Sequence, residues 1–116
     1  MNDRTLLELA ARAAGYQFSY SYRSLSSPAV PVILAETGRW RQWGPLTDDG
    51  DALRLAVKLR LDITFYNGFQ EVAAEPSNGD GMNPSQEVFT ENPYAATRRA
   101  ITRAAAEIGK SMGGGE

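Results

Sequence analysis

The run Trp43-Gly44-Pro45-Leu46-Thr47-Asp48-Asp49-Gly50-Asp51, continuing from Ala52 to Leu59, constrains the fold more than any other stretch of the chain. Gly44-Pro45 is a turn signal. Thr47, Asp48 or Asp49 can cap a helix that begins near Gly50, and the carboxylates of Asp48, Asp49 and Asp51 suit its positive end. The helix runs from Asp51 to about Arg60. At about 100° per residue, Ala52, Leu53, Leu55, Ala56, Val57 and Leu59 cover a wide apolar arc, leaving Asp51, Arg54 and Lys58 on a narrow polar face. Such an arc predicts a helix at the centre of the domain, so that Leu53→Ala or Val57→Ala costs about 2–4 kcal/mol. Three aspartates also suit a hard cation. Asp48-Asp49-Gly50-Asp51 lacks the alternating spacing and distal glutamate of an EF-hand loop, however, and capping explains it with fewer assumptions.

The other elements follow from the same kind of reading. Asn2 or Asp3 can cap a helix running to Ala14, and Gly15 can end it in the left-handed conformation. From Gly15 to Arg23 the chain alternates strictly: Tyr16, Phe18, Tyr20 and Tyr22 share one face, and Gln17, Ser19, Ser21 and Arg23 the other. That strand packs its aromatics inward, the alternative being an exposed stacking platform. Ser24 to Pro31 reads as a loop and Val30 to Glu36 as a short strand with Pro31 at its start or on an edge. Leu61 to Tyr66 alternates; Asn67-Gly68 is a hairpin signal; Phe69 to Glu75 is the return strand. A loop rich in Gly, Pro, Asn and Ser spans Pro76 to Ser85, and Gln86 to Thr90 reads as a third strand. Asn92-Pro93 opens the last helix, which is expected to end near Ile108 with Gly109 after it. Its alanines imply close approach to whatever lies beneath.

These elements predict one α+β domain over residues 1–109 and a flexible C-terminal tail over 110–116. The expected architecture is an antiparallel β-sheet of four to five strands flanked by three helices, in the order α-β-(β)-α-β-β-β-α. The strict alternation favours helices mainly on one face. The other, carrying Gln17, Ser19, Ser21, Thr64 and Tyr66, is then open or paired across a homodimer.

Composition narrows the chemistry. The chain has no histidine and no cysteine, which removes the commonest general base, the thiol nucleophile and the usual soft metal ligands. No catalytic constellation, cofactor site or metal site is expected. A net charge of −2 and a pI near 5.2 argue against a generic binder of nucleic acid or anionic membrane. No apolar run approaches the roughly 18–20 residues of a membrane span, and the start lacks a cationic segment leading into an apolar one, so an intracellular protein is expected.

Two clusters are candidate binding residues. Arg39, Trp40, Arg41, Gln42 and Trp43 interleave cations with indoles, a pattern that stacks bases and contacts phosphates. The bland alternative puts one tryptophan in the core and leaves the arginines solvated. On the last helix Arg98, Arg99 and Arg103 can dock a phosphate or an acidic partner, the alternative being a solvated face with an Arg103–Glu107 pair.

The segments Trp43 to Leu59, Asn92 to Ile101, Arg103 to Gly109 and Leu6 to Gly15 resemble small tailed-bacteriophage and prophage proteins of the phage ABA sandwich domain family. Together they cover 44 of the 116 residues, well over a third of the chain. The resemblance implies helices flanking an antiparallel sheet and a location in the host cytoplasm, and it carries over no catalytic residues. With the composition, it leads to the expectation of a non-enzymatic accessory protein that binds a host or phage protein, above all a host protein such as a component of anti-phage defence. A protein that sequesters a nucleotide or other anionic small ligand is the alternative, and nucleic-acid binding comes third.

Overall fold

Three side chains set where the helices begin. Asn2 Oδ1 accepts from the Thr5 N–H at 2.8 Å and opens α1 (Asp3–Ala14), which closes on Gly15 at φ 76°. Asp48 Oδ2 accepts from the Asp51 N–H at 2.8 Å and opens α2 (Asp49–Leu59). Asn92 Oδ1 accepts from the Tyr94 and Ala95 N–H groups at 3.0 and 3.1 Å and opens α3 (Pro93–Met112). Each bond satisfies a donor that the first helical turn leaves without an intrahelical partner. The computed structural model describes residues 2–21, 29–66, 71–76, 85–88 and 92–112. Tyr22 and Arg23, most of the loop after them, the Asn67-Gly68 turn, residues 77–84 and 89–91, and 113–116 of the expected tail lie outside the described residues.

The fold is α+β. β1 (Phe18–Ser21), β2 (Val30–Leu34) and β3 (Trp40–Gln42) form one antiparallel sheet, with Phe18 opposite Ile33 and Ile33 opposite Arg41. β4 (Leu61–Tyr66), β5 (Glu71–Pro76) and β6 (Ser85–Val88) form a second, with Ile63 opposite Ala74 and Ala73 opposite Gln86. The expected single sheet of four to five strands is therefore two sheets of three, in the order α-β-β-β-α-β-β-β-α. Alternation identifies a strand and its two faces but not its neighbour. Here pairing stays within each run of strands on either side of α2. The added strand is Trp40–Gln42, whose three residues are too short for a periodic signal.

β1 and the first half of β4 keep the one-sided burial that alternation predicts, whereas β5 buries Val72, Ala73 and Ala74 in succession and so is covered on both faces. Tyr16, Phe18 and Tyr20 are half-buried while Gln17, Ser19 and Ser21 are exposed; Leu61 and Ile63 are half-buried while Asp62 and Thr64 are exposed. Trp43, only 1% exposed, meets Tyr16 and Phe18 edge-on at centroid distances of 5.7 and 5.9 Å.

The central helix is α3, not α2. Ala104, Ala105 and Ala106 are all buried, and successive helical positions point about 100° apart, so α3 has neighbours around most of its circumference. It packs on α1, α2, β5 and β6. Alanine permits this because it lets other elements close in on several sides. The helix also runs through Gly109 to Met112 instead of ending near Ile108. A Cβ on Gly109 would lie 1.9 Å from the Leu9 carbonyl oxygen, so this glycine is where α1 and α3 touch backbone to backbone. The two helices run parallel, since Arg99 reaches Asp3 at one end and Gly109 meets Leu9 and Ala13 at the other.

By contrast α2 is peripheral. It buries Asp51, Ala52, Leu55 and Ala56 but leaves Leu53 60% and Val57 68% exposed, against the expectation that both are core. Both occupy one edge of its apolar arc, and no described element covers that edge. Its last turn closes on Arg60 in the left-handed region at φ 54°, a role usually taken by glycine.

Candidate functional site

The structure takes the first candidate cluster apart. Trp40 and Arg41 are neighbours on β3 and point to opposite faces of it. Trp40 is half exposed, whereas Trp43 is sealed in the core. Arg39 and Arg41 are exposed, and Arg41 turns toward α2 to meet Asp51 at 3.3 Å. One indole therefore closes the core and no continuous stacking platform forms.

The second cluster also disperses. The Arg98 side chain, 17% exposed, donates from Nε to the Leu46 carbonyl at 3.0 Å and from Nη1 to Asp49 at 2.6 Å, tying α3 to the turn before α2. Arg99 reaches Asp3 of α1 at 3.1 Å. Arg103 pairs with Glu87 of β6 rather than with Glu107. Each guanidinium holds a different element against α3, and the three do not converge on one anion site.

What the sequence reading assigned to a polar face is instead a buried carboxylate. Asp51 is 5% exposed. Its Oδ2 accepts from the Gly44 N–H at 3.0 Å, and its Oδ1 meets Arg54 at 2.8 Å and Arg41 at 3.3 Å. Burial alone would raise its pKa; the Gly44 N–H, Arg54 and Arg41 together outweigh it and hold the carboxyl below its ordinary value. Asp51 is the third helical residue after the Asp48 cap, the position from which a capping-box side chain reaches back. Here it reaches past the cap to Gly44 and pins the turn that seats Trp43. Among the described residues no buried side-chain polar atom lacks a partner, and no group of three or more His, Cys, Asp or Glu could hold a metal ion.

A mainly apolar opening lies on the other side of α2. A groove of about 470 Å³ runs between α2, β4 and the first turns of α3. Leu53, Phe65 (51% exposed) and Tyr94 (69% exposed) stand along it, with Ala52, Ile63 and Ile101 also in its lining. Asp49 and Arg98, paired to each other, are the charged groups in the lining. β4 is an edge strand, paired only with β5 among the described strands. Its surplus of exposed large apolar side chains sets this face apart from the polar faces of the sheets.

No family model matches the chain, and neither a curated protein nor a solved structure does. No helix among the described residues is long and apolar enough to cross a membrane.

Sequence reasoning missed the groove because it placed Leu53 in the core and did not single out Phe65 or Tyr94 as binding residues. The signal was present in part. Leu53 and Val57 are four apart and share a helical face, but an arc of apolar positions does not say which of its edges stays uncovered.

Proposed function

We propose that this chain is a phage-encoded accessory protein that works by binding a host protein, in the host cytoplasm, through the groove between α2, β4 and α3. The observation that carries the reading is the alignment of three exposed large apolar side chains, Leu53, Phe65 and Tyr94, along one concavity. Exposed apolar surface of this kind gains by being covered, and aromatic anchors in a groove are the usual centres of protein interfaces. The absence of His and Cys from the sequence favours binding over catalysis. The phage origin rests on the resemblance in Trp43–Leu59 and Asn92–Ile101, and a component of anti-phage defence is the kind of partner it suggests. Nucleotide capture by Arg98, Arg99 and Arg103 is disfavoured by their three separate intramolecular pairs.

The test is affinity capture from bacterial lysate with the parent protein and with Leu53→Asp and Phe65→Ser, each first checked for an unchanged melting transition. The expected result is a host protein held by the parent and lost by both variants. Retention of the same proteins by folded groove variants would refute the assignment.

A further inference from the structure

On the opposite side of α2 is a second opening that shares no lining residue with the groove. It measures about 540 Å³ and lies between the end of α1, the β1–β2 pair and the polar face of α2. Its size falls in the range of small-molecule sites, roughly 300–1,000 Å³. Arg41, Arg54 and Lys58 stand in its lining against one carboxylate, Glu36. Tyr16, Ile33 and Leu34 supply its apolar side. We infer that this cleft binds a small anion carried on a planar ring, of the nucleoside monophosphate class.

Three features support that assignment. The two guanidiniums are held in place from behind, because Asp51 accepts from both while lying beneath the surface. A guanidinium has five donors in a fixed fork. Arg41 donates to Asp51 and the Gln42 carbonyl, and Arg54 to Asp51 with Asp48 4.0 Å away, so both keep donors for a ligand. Second, Lys58 has no carboxylate partner among the described residues; its Nζ lies 5.4 Å above the Tyr16 ring. It is a cation waiting at the edge of an aromatic face, and an incoming phosphate can replace the ring as its partner. Third, the apolar residues lie beside the cations rather than apart from them. A ligand whose ring rests on Tyr16 and Leu34 therefore presents its phosphate to Arg41, Arg54 and Lys58. Glu36 is an acceptor for a ring amine or a sugar hydroxyl. The cations named in the sequence reading as an anion site were Arg98, Arg99 and Arg103; the fold gathers a different set.

The inference is tested by titration calorimetry at low ionic strength with adenosine monophosphate, inorganic phosphate and adenosine as separate ligands. Adenosine monophosphate is expected to bind about tenfold or more tightly than either fragment. Lys58→Glu should weaken it by about tenfold or more, and Lys58→Gln by less, with melting transitions like the parent's. Leu53→Asp, on the groove side of α2, should leave this binding unchanged, which separates failure of the cleft from failure of the groove. Four results would each overturn the assignment: no adenosine monophosphate binding at millimolar concentration; adenosine binding equally well; phosphate binding equally well; or binding indifferent to both Lys58 substitutions.

Discussion

Gly109→Ala puts two expectations in direct opposition. Helix propensity alone favours alanine in the interior of α3 by about 1 kcal/mol. The packing says otherwise. The new Cβ would stand 1.9 Å from the Leu9 carbonyl oxygen and 2.8 Å from the Leu9 carbonyl carbon, where real Cβ atoms keep at least 3.0 Å. Both are backbone atoms of α1 and cannot swing aside, so the helices must part by at least about 1 Å. A gap of that size forfeits a quarter to a half of each dispersion contact it crosses. Overpacking of this kind costs about 1–3 kcal/mol and at times more. After the propensity gain, a net loss of about 1–2 kcal/mol is expected, or a melting midpoint about 4–8 °C lower for a domain of this size. Thermal melts and urea unfolding followed by circular dichroism measure it. Gly50→Ala is the control, because its Cβ meets only the ends of the Arg54 and Asp48 side chains, at 3.2 Å, and should change stability by well under 1 kcal/mol. A Gly109→Ala protein as stable as the parent, or more so, would refute the close helix contact.

Other substitutions probe other links. Trp43→Ala removes the largest fully buried side chain and should cost about 4 kcal/mol, a large share of a domain's stability, as read from the urea midpoint. Leu53→Ala should change stability by less than about 0.5 kcal/mol, in contrast to the 2–4 kcal/mol expected of a core leucine. Asp51→Ala should cost about 2 kcal/mol near neutral pH, where the Gly44 N–H and two guanidiniums lose their acceptor; the exposure of both arginines keeps the figure low. Because the folded pKa of Asp51 is lowered, its contribution is complete above the unfolded carboxyl value of about 3.9 and fades as pH falls through the folded value. The gap between parent and variant in urea unfolding should therefore narrow on acidification, and a widening gap would contradict the assignment. Arg60→Gly should raise stability by about 0.5–1 kcal/mol, since glycine adopts φ 54° without the strain a side chain brings.

What could be read in advance divides by range. Asn2, Asp48 and Asn92 were identifiable as caps because a cap and its N–H donors lie within three residues of each other. The inward aromatics of β1 and the polar outer faces were legible because alternation is a property of one strand. Partners were not. Nothing local tells β3 to join β2, or tells β4 that it belongs to a second sheet. Gly109 is ambiguous for the same reason: a glycine that ends a helix and one that admits another backbone look alike until the second helix is in place. The helical pattern places Asp51 with Arg54 and Lys58 on a narrow polar face and does not show that Asp51 is buried, because the loop that covers the carboxylate arrives from outside the helix. The two candidate clusters meet the same limit. Proximity along the chain put Arg98, Arg99 and Arg103 together, while the fold directs each to a different element and assembles Arg41, Arg54 and Lys58 from two separate segments.

The parallel contact between α1 and α3 has a consequence for synthesis. The Asp3–Arg99 pair joins residues 96 positions apart, and Gly109 meets Leu9 across a similar span. Closing loops of that length has an entropic cost before any contact repays it, which slows folding. On the ribosome α1 emerges with an alanine-rich face well before α3, the helix it packs against most extensively. The domain therefore completes late, after nearly all of this sequence has been made. A chain interrupted before Gly109 would carry the caps and the strands but not the crossing that joins its first helix to its last.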